Sequence, residues 1–64
     1  MAQKIRDLRV NYRVVLIRDG VELDSIVILV HGEEDAKILA EHDLGPQNGV
    51  GLFDTNVEYR VEKV

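Results

Sequence analysis

The dipeptide Asp19-Gly20 sits between two runs of alternating apolar and polar residues. A two-residue type I′ turn needs positive φ at both central positions, and Asp-Gly supplies it at low cost. Before it, Leu8, Val10, Tyr12, Val14 and Leu16 share one side of a strand, while Arg9, Asn11, Arg13, Val15 and Ile17 share the other. After it, the stretch from Val21 to Val30 is β-branched and strand-length. The two runs therefore form a hairpin.

A two-residue loop fixes a register. Arg18 faces Val21, Leu16 faces Leu23, Val14 faces Ser25, Tyr12 faces Val27 and Val10 faces Leu29. That face is almost wholly apolar. The opposite face pairs Ile17 with Glu22, Val15 with Asp24, Arg13 with Ile26, Asn11 with Ile28 and Arg9 with Val30, a mixture of apolar and charged groups. A one-residue slip would exchange the faces of one strand against the other, and the clean face argues for the unslipped pairing.

Residues 33–44 read as a helix. Glu33, Glu34 and Asp35 suit the positive end of its dipole. Ala36, Leu39, Ala40 and Leu44 make a narrow apolar stripe, and Gly45-Pro46 is a stop signal. Residues 45–55 come next as a loop with three glycines. The last strand runs from Asn56 to about Val64, with Val57, Tyr59 and Val61 alternating against Glu58, Arg60 and Glu62. A right-handed crossover places it beside the first strand. The expected fold is a single α+β domain over residues 1–64. It is a ββαβ unit with a three-stranded, mainly antiparallel sheet of order 2-1-3 and one helix on the clean face.

At 64 residues the chain buries little of its surface, and such domains usually need a staple. There is no cysteine, which excludes disulfides and thiolate metal sites and fits a cytoplasmic setting. No apolar run reaches the roughly 18 residues of a membrane helix. His31 and His42 lack metal-ligand spacing, so no metal and no cofactor are expected. A second subunit is the remaining way to enlarge the core.

Charge divides the chain. Residues 1–18 hold five basic residues against Asp7 alone, a net of +4, and the remainder is strongly acidic within a total of −4. Arg9 and Arg13 fall near Glu58 and Glu62 in the expected topology, a set of candidate electrostatic contacts. An acidic chain with few aromatic residues is a poor nucleic-acid binder.

Catalytic signals are weak. The carboxylates are scattered, Ser25 and Thr55 have no histidine in a suggestive position, and Gly49-Val50-Gly51 precedes a strand rather than a helix. The chain reads as non-enzymatic.

The mixed face carries the functional expectation. Val15, Ile17, Ile26, Ile28 and Val30 would lie exposed there, forming a partner or dimer interface. Their burial would contribute on the order of 5–10 kcal/mol. Asn48, Leu52 and Phe53 form a candidate interaction loop. The expected role is a protein-interaction module, a homodimeric inhibitor or adaptor that occupies another protein's surface. Alternatives are a small-molecule binder with a pocket between subunits, and nucleic-acid binding through the basic first strand.

Overall fold

The computed structural model describes residues 8–51 and 53–64. Strand β1 (Val10–Arg18) turns at Asp19-Gly20 into β2 (Val21–Val30), which leads to helix α1 (Glu33–Gln47) and strand β3 (Val57–Lys63). Positive φ at Asp19 and Gly20, 52° and 79°, confirms the turn chemistry. Both β2 and β3 pair antiparallel with β1, giving the sheet order β2-β1-β3.

Strand β1 is the middle strand and the centre of the core. Tyr12, Val14, Val15, Leu16 and Ile17 are all buried. The helix packs on one face of the sheet, where Tyr12, Val14 and Leu16 meet Ala36, Ala40, Leu44 and Val50. Those three helical residues recur every four positions, so they share one stripe. Two of them are alanines, which lets the helix lie close to the strands.

The hairpin departs from the simple register at one point. Leu16 pairs with Asp24, whereas Ile17 pairs with Glu22, so Leu23 is an extra residue in β2. This bulge reverses the facing of everything after it. Ile26, Ile28 and Val30 now point toward the helix and pack against the core, opposite Val14, Tyr12 and Val10. Ser25, Val27 and Leu29 stand on the other face, beside Val15, Arg13 and Asn11. The unbulged pairing would have carried the Ser25 hydroxyl under the helix, and burying an unpartnered hydroxyl is unfavourable. The bulge places three β-branched side chains in the core instead.

Asp24 at the bulge is tied down locally. One carboxylate oxygen accepts from the Ser25 N–H at 2.8 Å, and the other accepts from Asn48 Nδ2 at 3.2 Å. Asn48 also ends the helix: its backbone N–H reaches the carbonyls of Leu44 and Gly45, and its Nδ2 donates to the Leu44 carbonyl at 2.9 Å. One side chain thus joins the helix C-terminus to the β2 bulge.

The helix runs past the expected stop, through Gly45 and Pro46 to Gln47. Proline withholds only one donor this close to the end, and the last carbonyls find others. The Gly49 N–H donates to Pro46, and the Val50 N–H donates to Gly45 at 2.7 Å. Gly45 is buried because the chain approaches it closely. A Cβ there would lie 2.9 Å from the Tyr59 hydroxyl oxygen and 3.3 Å from the Val50 carbonyl oxygen.

Gly45→Ala should therefore lower the melting temperature, by about 1–3 kcal/mol of overpacking, although alanine is the better helix former. Combining it with Tyr59→Phe, which removes the clashing oxygen, should recover part of the loss. Thermal melts of the single and double variants give the comparison.

Candidate functional site

The five residues expected to form an exposed patch do not do so. Val15 and Ile17 lie on the face away from the helix, yet each is only 5% exposed. They occupy the middle strand, with Arg60 and Glu58 of β3 beside them in register. Long charged side chains carry methylene stems that cover apolar neighbours while the charge stays in water. Ile26, Ile28 and Val30 are half-buried on the helix side, turned there by the bulge.

Other apolar residues take their place at the surface. Val27 is 52% exposed and Leu29 is 43% exposed, both on the helix-free face of β2. Their register partners on β1 are Arg13 and Asn11. Ser25, expected under the helix, is exposed.

The two outer strands are protected unequally. The helix-free face of β3 carries Glu58, Arg60 and Glu62, and Lys63 ends the strand. Such alternating charge blunts a sheet edge. In β2 the charges, Glu22 and Asp24, sit at the hairpin end together with the bulge, another edge-guarding device. From Ser25 to Val30 the outer strand has no charge, no proline and no covering element from the sheet. Its outward backbone N–H and C=O groups form a template for another strand.

A shallow groove of about 290 Å³ adjoins this edge, lined by Arg9, Leu29, Val30, His31, Asp35, Ile38 and Leu39. Ile38 and Leu39 are exposed. Leu39 was expected within the core stripe of the helix, but Ala36, Ala40 and Leu44 fill that stripe and Leu39 falls on its flank. The adjacency of Ile38 and Leu39 was the available signal, because two neighbouring positions stand about 100° apart around a helix and cannot both face one narrow sheet.

The expected electrostatic contacts are partly brought together. Arg13 and Glu62 are paired in register on the helix-free face, and Glu58 stands beside Ile17 on the same face. Arg9 precedes β1 and lines the groove at the far end of β2.

The candidate loop divides. Asn48 is a helix cap rather than a surface contact. Leu52 lies outside the described residues. Phe53 is 95% exposed, on a turn closed by the Gly51 N–H donating to an Asp54 carboxylate oxygen at 2.9 Å.

A second cleft, of about 320 Å³, opens between the helix and β3, lined by Lys37, Glu41, Val50, Gly51, Asp54, Val57, Glu58 and Tyr59. Here Val50, Gly51 and Asp54 meet Lys37 and Glu41 of the helix and Val57, Glu58 and Tyr59. Burial, and then the nearby carboxylates of Glu41 and Asp54, raise the Tyr59 phenol above its ordinary value of 10.0. At neutral pH Tyr59 is a neutral hydrogen-bond donor, unsuited to act as a base. No group of three or more His, Cys, Asp or Glu able to hold a metal ion occurs among the described residues. Nor does any helix there have the length and apolar character to cross a membrane.

The Tyr59 shift has a defined sign in stability. The folded state keeps its proton to higher pH than the unfolded chain, so the contribution is whole below about pH 10 and is lost as pH rises through the folded value. In a Tyr12→Phe background, which leaves Tyr59 as the only tyrosine, ultraviolet titration should give a midpoint above 10. A midpoint at or below that value would contradict the burial of the phenol. Compared with family models, curated proteins and solved structures, the chain matches none of them.

Proposed function

We propose that this chain is a non-enzymatic protein-interaction module that receives another polypeptide along β2. One observation carries the reading: the uncharged outer stretch Ser25–Val30 exposes Val27 and Leu29 on its helix-free face, and exposed Ile38 and Leu39 adjoin its Leu29–Val30 end. Strand addition obtains affinity from main-chain hydrogen bonds and specificity from alternate side chains. Both components are present on this edge, whereas the β3 edge is charged along its length. Occupying a partner's surface in this way is how small inhibitors and adaptors act.

Affinity purification from the native host, with the wild-type chain and a Leu29→Lys variant as parallel baits, tests the reading. The expected result is a protein retained by the wild type and reduced at least tenfold by the variant, while circular dichroism shows both folded. Equal recovery by the two baits would remove β2 from the interaction. A Phe53→Ala bait, altered at a side chain 95% exposed, should retain the partner if β2 alone carries recognition.

A further inference from the structure

We infer that the polypeptide received by β2 is an extended segment of another protein whose uncharged, apolar centre is flanked by basic residues at both ends. The inference rests on the interaction reading above and names the partner's chemistry.

Charge along the edge selects this occupant. Six uncharged residues, Ser25 to Val30, form the middle of the exchange surface. At roughly 3.3 Å per residue they span about 20 Å. Acids stand at each end of that span. The hairpin end carries Glu22 and Asp24 on the strand and Asp19 in the turn, all exposed, against Arg18. The other end carries Glu33, Glu34 and Asp35 in the first turn of α1, again all exposed. They stand against Arg9, which is already engaged. Carboxylates therefore outnumber guanidinium groups by three to one at both ends. The far end also has room for a side chain. The groove at Leu29 and Val30 shares His31 and Asp35 with a second open hollow, of about 490 Å³, that Gly32, Glu33 and Glu34 complete. A chain added along β2 and leaving past Val30 enters this hollow. The helix dipole accounts for acids at this position. Their carboxylates nonetheless stay at the surface, where they offer acceptors to a lysine or arginine.

Other occupants fit less well. A second copy of this chain, laid along β2 in either direction, would set an acidic end against an acidic end, and like charges directly opposite are destabilising. A strand charged along its length would press ions against Val27 and Leu29, and desolvating an unpaired ion is costly. The β3 edge alternates Glu58, Arg60 and Glu62 and offers no uncharged interval of this kind. The pattern on β2 reads the same from either end, so the selection falls on the partner's composition.

The test titrates three synthetic peptides into the full chain, labelled with nitrogen-15, and follows its amide resonances. The peptides share a centre of alternating valine and threonine as long as the uncharged stretch of β2. Two lysines, two serines or two glutamates close that centre at both ends. The lysine peptide should bind at least tenfold tighter than the serine peptide in dilute buffer, with the shifts concentrated over Ser25 to Val30 and at Glu33, Glu34 and Asp35. The glutamate peptide should bind most weakly. At about 1 M salt, where the screening length is about 3 Å, the three affinities should converge. Replacing Glu22→Gln together with Glu34→Gln, both at exposed positions, should reduce the preference for lysine at least threefold, with circular dichroism unchanged. Equal affinity for the three peptides, all of it lost on Leu29→Lys, overturns the basic flanks and leaves strand addition standing. A preference for lysine that maps away from β2 and the start of α1, or that the double replacement leaves whole, also overturns the inference. So does the absence of shifts with every peptide. If in that case the host partner is still lost on Leu29→Lys, β2 remains the receiving edge; if the two baits recover it equally, the interaction reading itself fails.

Discussion

Everything in this fold depends on β1 being hydrogen-bonded on both sides and buried on both faces. Tyr12, Val14 and Leu16 fill the space under the helix, and Val15 and Ile17 are covered on the other side without any second layer. Neither β2 nor β3 is buried in this way. A middle strand enclosed by its two neighbours gives a short chain a core that a bare hairpin would lack. It also fixes where the surface can vary: the outward row of β2, the outward row of β3, and the flanks of the single helix.

Those three regions are not equivalent. Charge is distributed along β3 but concentrated at one end of β2. The helix likewise has a polar flank toward the Lys37–Glu41 cleft and an apolar flank, with Ile38 and Leu39, toward the β2 side. Sheet edge and helix flank thus share one polarity, while Val21, Phe53 and Val64 are exposed away from them.

Much of the architecture was legible in the residues. Asp19-Gly20 names its own turn, the alternation of β1 and β3 gives their faces, and Ala36, Ala40 and Leu44 give the helix contact. The helix C-terminus was less legible, because Gly45-Pro46 reads as a terminator. It is carried further by donors from Asn48, Gly49 and Val50, which lie beyond it in sequence. The candidate surface was legible only in kind. Period-two alternation places side chains relative to their strand neighbours, and one extra residue changes the parity of every later position in the strand. In β2 every residue from Ile26 to Val30 is apolar, so its pattern could not report which half faced inward. The polar residue that decides, Ser25, weighs only one hydroxyl in the balance.

Leu23 therefore functions as a spacer whose contribution is arithmetic. Left out of the pairing, it lets Leu16 meet Asp24, which sends Ile26, Ile28 and Val30 inward and leaves Val27 and Leu29 outside. Many side chains satisfy that requirement, since this position is 44% exposed. Losing the residue altogether would keep the partners of β2 as they are. With Asp24 following Glu22 directly, Leu16 would still face Asp24 and Val14 would still face Ile26, now in an unbroken ladder.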